Sequence, residues 1–437
     1  MGFQQGLSGL NASSSSLDVI GNNIANANTY GEKSSRAEFG DLYAGALNGS
    51  GSSPIGIGVT LQTVAQQFTQ GNITTTDNSM DLAINGGGFF QVSDGSNPTE
   101  YTRNGQFKIN NDGYIVNDAG LKLLGYPASS TGVIQPGQAQ PLQLPTGGID
   151  PKATTSIDMQ FTLDSRAAVT ASTTAPGSIN LNDPTTYNNA TSATVYDTKG
   201  QPVALTFYFQ KNADASDGST TWNIFATANG KPFTTDSFGN AIDVDSNGNP
   251  TAPYATITFP ASGGSPIDPT APLAMDVPAG TNSTGASTLE IPGINFNITG
   301  ATENGSNFSV TNLTQDGYAP GQLSGINIDD TGTVLARYSN GQSKPAGQVE
   351  LATFRNPQGL QSMGGNVWSS TNSSGSPIVG VPGSGNLGAI QSGALEDSNV
   401  DLTAELVNMI TAQRTYQANA QTIKTEDQVL QTIVNLR

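Results

Sequence analysis

Phe3, Leu10, Leu17 and Ile24 recur at intervals of seven, with Leu7 at the intermediate position, so residues 1–27 predict a helix with one apolar seam. Residues 400–437 repeat the device. Leu402, Met409, Tyr416, Ile423 and Leu430 fall seven apart, and Leu406 and Val434 lie on a companion series. Asp401 or Ser398 suits the N-cap of this second helix, and no Gly or Pro follows Gly393. Other companion positions are polar or small: Ser14 and Gly21 near the N-terminus, and Gln413, Ala420 and Asp427 near the C-terminus. A two-stranded coiled coil fills such positions with large aliphatic residues. Each helix therefore has one strong seam and one weak one, a pattern that fits a crowded bundle better than an isolated pair. Five large apolar side chains return less free energy on burial than the backbone loses on ordering, so the N-terminal segment is expected to order only against partners.

Between the ends the period changes from helical to alternating. From Met80 onward, short runs such as MDLAI, FFQV, QFKI, YIVN and LKLLGY are separated by Asn-Gly and Asp-Gly turns, which signal successive hairpins. Residues 192–209 and 333–356 read similarly, so the chain from about 73 to 369 is expected to be β. Residues 46–58 and 371–393 are rich in Gly, Ser and Pro and read as linkers. The expected fold is multidomain: a coiled-coil-like helical domain built from both chain ends, with mainly β domains of antiparallel sheet or barrel-like form nested between them. Its predicted parts are a helical domain at 1–35 and 398–437, linkers at 36–72 and 370–397, a β core at 73–148 and 318–369, and an inserted β region at 149–317 comprising one domain or two.

Composition narrows the chemistry. The 437 residues include 52 Gly and 24 Pro but no Cys and no His, which removes disulfides, thiolate nucleophiles, imidazole bases and most transition-metal sites. A formal charge of −18 argues against nucleic acid, whose phosphates require clustered Lys and Arg. Between Lys231 and Arg337 there are ten acidic residues and no basic ones, as expected of a solvated outer surface. No run approaches a membrane span, and Ser13 to Ser16 interrupt any apolar leader, so export is expected to use a route other than a cleavable signal peptide.

Three motifs have the spelling of chemical sites. Gly383-Ser384-Gly385-Asn386-Leu387-Gly388 spells G-x-G-x-x-G, but no buried strand precedes it and no crossover helix follows, so it reads as linker. Asp243, Asp245 and Asn247, followed by Gly248, match the first half of a calcium loop. Tyr254 stands where the bidentate Glu belongs, so a polar turn is the preferred reading and weak calcium binding the rival. Asp329 and Asp330 are adjacent, would face opposite sides of a strand, and read as a turn. No catalytic set, cofactor site or metal site is expected.

Residues 20–31, IGNNIANANTYG, carry the most specific signal. Asn22, Asn23, Asn26, Asn28 and Thr29, followed by Gly31 and Lys33, resemble the N-terminal signature of the bacterial flagellar axial family of rod, hook and hook-associated proteins. Residues 67–93, Tyr101-Thr102-Arg103 and Gly125-Tyr126 resemble the β segment shared by hook and distal-rod proteins. Residues 393–437 are similar to the hook-type C-terminus, and residues 192–209 to a hook-type outer segment. One departure is Glu32, which stands where the family usually carries an aromatic residue.

The resemblance implies a non-enzymatic hook subunit that polymerises into a curved tube joining rod to filament and transmitting torque. It also implies an extracellular location and an export apparatus. The implied partners are further copies of the chain and the distal-rod, hook-cap and hook–filament junction proteins. The alternatives are a distal-rod or hook-associated protein, favoured less because of the long insert, or a secreted β-rich adhesin or hydrolase. Four asparagines in a helix are unfavourable. They are expected to hydrogen-bond to neighbouring subunits where helix gives way to linker.

Overall fold

The computed structural model describes residues 2–43, 56–95, 98–145, 147–172 and 177–435. Two helices stand at the chain ends, α1 (Gly2–Ala25) and α2 (Leu402–Asn435), and strands dominate between them. Of the two cap candidates for α2, Asp401 fills the role: its Oδ1 accepts hydrogen bonds from the amides of Thr403 at 2.9 Å and Ala404 at 3.1 Å. The described residues fall into two compact units, 1–146 with 323–337 and 343–437, and 147–322 with 338–342.

In the first unit, β1 (Ser35–Tyr43) and β2 (Gly56–Gln66) form an antiparallel hairpin. This corrects the linker reading of 36–72, although residues 44–55 of that stretch lie outside the described residues. The hairpin docks on α1 through polar contacts that composition does not reveal. Ser8 Oγ donates to the Val59 carbonyl at 2.6 Å and accepts from the Val59 amide at 2.7 Å, while Gln5 donates to the Gly56 carbonyl at 2.6 Å. The second linker expectation, 370–397, is corrected likewise. Strands Ile378–Gly380, Ala389–Ser392 and Ala394–Glu396 pair with Leu351–Thr353, Leu82–Asn85 and Ile73–Thr75. Gly and Pro there mark turns, and main-chain hydrogen bonds suffice to add a short strand to an existing edge.

The main sheet of this unit runs in the order Leu323–Ile328, Thr333–Tyr338, Ser343–Val349, Lys122–Pro127, Phe89–Ser93, Glu100–Thr102, Val367–Ser369 and Gln361–Gly364. Leu82, Ile84, Phe90, Val92, Ile115, Leu123, Val349 and Leu351 form its core. A second cluster of Phe89, Tyr101, Phe354 and Trp368 receives Phe68 edge-on, and Trp368 Nε1 donates to Gln66 Oε1 at 2.6 Å. The end of β2 is thereby fastened to the sheet.

The second unit has one continuous core containing Phe161, Phe207, Phe209, Trp222, Phe259 and Phe296, with Phe207 and Phe296 stacked at 4.8 Å. Asn189–Tyr196, Pro202–Lys211 and Thr220–Ala228 form an antiparallel meander. The antiparallel expectation fails at one strand. Ser156–Asp164 pairs in parallel with Ile291–Asn297 and Thr302–Asn304, because the meander intervenes between the partners and the chain returns by a long crossover.

Candidate functional site

The two end helices pair antiparallel, and their contact uses small residues. A Cβ on Gly6 would lie 2.9 Å from Ile423 Cγ1, and one on Gly9 would lie 2.8 Å from Asn419 Nδ2. Further along, Asn419 donates to Ser13 Oγ at 3.5 Å, and Asn23 donates to Glu405 Oε1 at 3.1 Å. Gly6, Gly9, Ser13, Ile20 and Asn23 thus form the face of α1 turned toward the molecule. Small side chains let the two helix axes approach closely. This seam lies beside the weak series of Ser14 and Gly21 and does not coincide with it.

The apolar series is only partly covered. Phe3 is 47% exposed and Leu7 44%, while on α2 Leu402 and Leu406 are each 46% exposed and Leu430 is 52%. Tyr416 is also exposed, whereas Leu10, Leu17, Ile24, Met409 and Ile423 are half-buried. Val407, Ile410 and Val429 add further exposed apolar surface to α2. A single chain therefore covers only one side of each helix.

The asparagine motif resolves into distinct roles. Asn22 and Asn23 lie inside α1, which ends at Ala25, whereas Asn26 and Asn28 lie beyond it. Asn23 is buried and clamps Ser35, accepting from its amide and donating to its carbonyl, both at 2.8 Å. The expectation that this amide reaches neighbouring subunits is corrected: its donors and acceptor are used within the chain. Asn26 folds back onto the Asn22 carbonyl at 3.1 Å, and the Asn26 carbonyl accepts from the Thr29 amide at 3.0 Å to close the turn. Asn28 is exposed.

Gly31 then takes φ of +72°, and a Cβ there would sit 2.5 Å from the Asn104 amide nitrogen. Both the left-handed conformation and the close approach demand glycine. Two residues on, Lys33 is wholly buried. Its Nζ lies 2.6 Å from Glu396 Oε1 and donates to the Thr69 carbonyl at 2.8 Å. Glu396 also accepts from the Gly71 amide at 2.9 Å and from Arg103 at 3.0 Å, so one carboxylate serves two buried cations. Arg103 in turn donates to the Gly86 carbonyl at 2.9 Å and lies over the Phe89 ring. Burial pulls the Lys33 ammonium and the Arg103 guanidinium below their ordinary values, and the Glu396 charge opposes both shifts. Burial raises the Glu32 carboxyl, and the Lys33 charge opposes that shift.

Only the fold brings Glu396 and Arg103 together with Lys33. One signal was available: Glu396 is the first charged residue after Arg355. A lone charge ending so long an uncharged stretch is a candidate for a specific buried partner.

A groove of about 550 Å³ opens between α1, β1 and α2, lined by Ser16, Ile20, Ala37, Phe39, Glu405 and Ala412 among others. Glu405 Oε2 is buried there without a hydrogen-bond partner.

The remaining motifs form turns. Asp245 accepts from the Asn247 and Asn249 amides, each at 2.8 Å, so its Oδ1 closes an Asx turn. Among the described residues no acidic cluster is arranged to hold a metal ion. Residues 383–388 close a turn on themselves, with the Gly383 amide 3.0 Å from the Gly388 carbonyl, and lead into a strand and not a helix. Asp329 caps its own turn through the Thr331 and Thr333 amides. No helix among the described residues is long and apolar enough to cross a membrane.

Four family models match the chain in order. They are Flagella basal body rod protein at residues 3–31, Flagellar hook protein FlgE/F/G D1 domain at 83–198, Flagellar basal body protein FlaE D2 domain at 162–318, and Flagellar basal body rod FlgEFG protein C-terminal at 391–436. The chain is 40% identical over 442 residues to the flagellar hook protein FlgE of Salmonella typhimurium strain LT2, covering all of both chains. It is 41% identical over 441 residues to that of Escherichia coli K12, again covering both chains fully. The Treponema pallidum hook protein is 32% identical over 472 residues, spanning 99% of this chain and 98% of its own. A crystal structure of Helicobacter pylori flagellar hook protein FlgE2 shares the fold, with a TM-score of 0.51 at 14% identity, covering 74% of this chain and all of that one.

Paired helices from the two chain ends with β units between them in sequence, together with these matches, define a structural protein of the flagellar axis and not an enzyme. The chain belongs to the flagellar hook protein FlgE family. It is a structural subunit of the hook, which sets aside the adhesin and hydrolase alternatives.

Proposed function

We propose that copies of this chain polymerise through α1 and α2 into the curved hook tube that couples rod to filament and passes torque between them. The observation that carries this reading is the exposed part of the apolar series on both helices, Phe3 and Leu7 with Leu402, Leu406, Tyr416 and Leu430. Exposed apolar surface of this extent on paired helices favours burial against further helices. A head-to-tail contact that does not close on itself generates a helical polymer. In this reading residues 1–35 and 398–437 are the inner assembly domain, 73–148 and 318–369 the β core, and 149–317 the outer part. Distal-rod, hook-cap and junction proteins would meet the two tube ends, and the flagellar export apparatus would deliver the chain outside the cell.

Electron microscopy of the purified chain under polymerising conditions tests the reading, and tubes are the expected result. Removal of residues 1–27 should abolish tubes while the β units stay folded. Tube formation by that truncated chain would refute the assignment of the seams.

A further inference from the structure

The carboxylate of Glu405 is only half used. Oε1 accepts from Asn23 at 3.1 Å, whereas Oε2 is buried and has no partner, and Glu405 is one of the residues lining the groove between α1, β1 and α2. An unpaired buried carboxylate oxygen is costly, and a cation supplied from outside would relieve it. The rim cation Arg36 is already held at 2.6 Å by Glu38.

Few cations lie on the helices themselves. Within the described part of α1 and α2 they are Arg414 and Lys424. Lys424 has Asp427 three residues on, on the same face of α2. Arg414 is exposed, has only uncharged residues at three and four positions either side, and makes no ion pair among the described residues. Nine residues separate it from Glu405, which places the two about 180° apart around the helix and ~14 Å apart along it. One face of α2 thus carries a half-satisfied carboxylate beside a groove and the opposite face presents a guanidinium without an ion pair. Those are the two different patches a head-to-tail contact requires.

We propose that the groove receives Arg414 of a second copy of this chain, whose guanidinium pairs with Glu405. The proposal rests on the polymerisation reading above and names one contact within it. Guanidinium suits the site because its fork can bond a carboxylate while its flat faces pack on the surrounding aliphatic groups and Phe39.

Charge reversal in the full-length chain tests the pair. Arg414→Glu, an exposed change that leaves the fold intact, should raise the critical concentration for tube formation by ~10-fold or more. Glu405→Arg should do the same, and the double reversal should restore assembly toward the unsubstituted level. Because Glu405→Arg risks local misfolding, Glu405→Gln provides a second cycle: combined with Arg414→Gln, its effect should be less than additive. Lys424→Glu should assemble as the unsubstituted chain does. Normal assembly of Arg414→Glu, additive effects in the Gln cycle, or rescue of Glu405→Arg by Arg36→Glu would each overturn the pair while tubes still form. Failure of the unsubstituted chain to form tubes would overturn the polymerisation reading and this contact with it.

Discussion

Lys33 Nζ lies 2.6 Å from Glu396 Oε1 with both side chains fully buried, which ties the segment leaving α1 to the segment approaching α2 across 363 positions of sequence. With Arg103 on the other carboxylate oxygen, the three charges form one closed unit. Removing the shared carboxylate leaves two cations uncompensated, whereas removing Lys33 leaves Arg103 paired. Glu396→Ala is expected to cost about 3–5 kcal/mol, and Lys33→Met distinctly less. Urea unfolding of the full chain checks the order, and equal losses would mean that Arg103 does not share the carboxylate.

Gly31 combines a left-handed backbone with a neighbouring amide 2.5 Å from where a Cβ would stand. Gly120 has φ of +81° but open space around it. Gly120→Ala should cost only the backbone term, about 1–2 kcal/mol. Gly31→Ala should cost more and loosen the Lys33 segment. The comparison of thermal midpoints separates conformation from collision, and a Gly31→Ala protein as stable as Gly120→Ala would show that the chain yields there.

Asn23 satisfies both the amide and the carbonyl of Ser35, at 2.8 Å each. Asn23→Leu strands both groups, at about 1–3 kcal/mol. The loss should be local: amide exchange in β1 accelerates while the core strands of the main sheet remain protected. Unchanged exchange at Ser35 would show that the clamp is dispensable.

Asp316, in the second unit, accepts from the Thr155 amide at 2.7 Å, the Ser156 amide at 2.9 Å and Lys152 Nζ at 2.8 Å. Burial alone would raise its carboxyl, but the Lys152 and Thr155 side chains and the two amides overcome this and hold it well below the usual carboxylate range. A depressed folded value means that the unfolded chain binds the proton first as acid is added. The stabilisation is therefore complete above the ordinary aspartate value of 3.8 and is lost as pH falls from there through the folded value. Asp316→Asn should lower the stability of this unit at neutral pH and flatten its decline in acid. Parallel acid profiles for the two proteins, followed by the fluorescence of Trp222, would exclude the carboxylate as the titrating group.

The helices at both ends were legible from seven-residue periodicity, and the Asp401 cap from local chemistry. The β character was legible from alternating residues and Asn-Gly and Asp-Gly turns. Those signals concern neighbours in sequence. Residues 36–43 and 56–66 read as linker because what holds them lies outside their own segment: Ser8 on α1 bonds to Val59, and Asn23 on α1 bonds to Ser35 at the start of β1. The motif asparagines looked alike in sequence, yet Asn23 is buried and Asn28 is exposed.

Composition and periodicity by themselves determined the two-part plan of helical ends and β middle, the absence of Cys and His chemistry, and the apolar series available for assembly. Tertiary structure alone decided which face of each helix the chain uses for itself. Close helix packing selects the smallest side chains, so Gly6, Gly9 and Ser13 turn inward while the larger Phe3 and Leu7 stay outside. It also decided that Lys33 would find Glu396, because a charge withdrawn from water is stable only where folding brings its counter-charge from elsewhere in the chain.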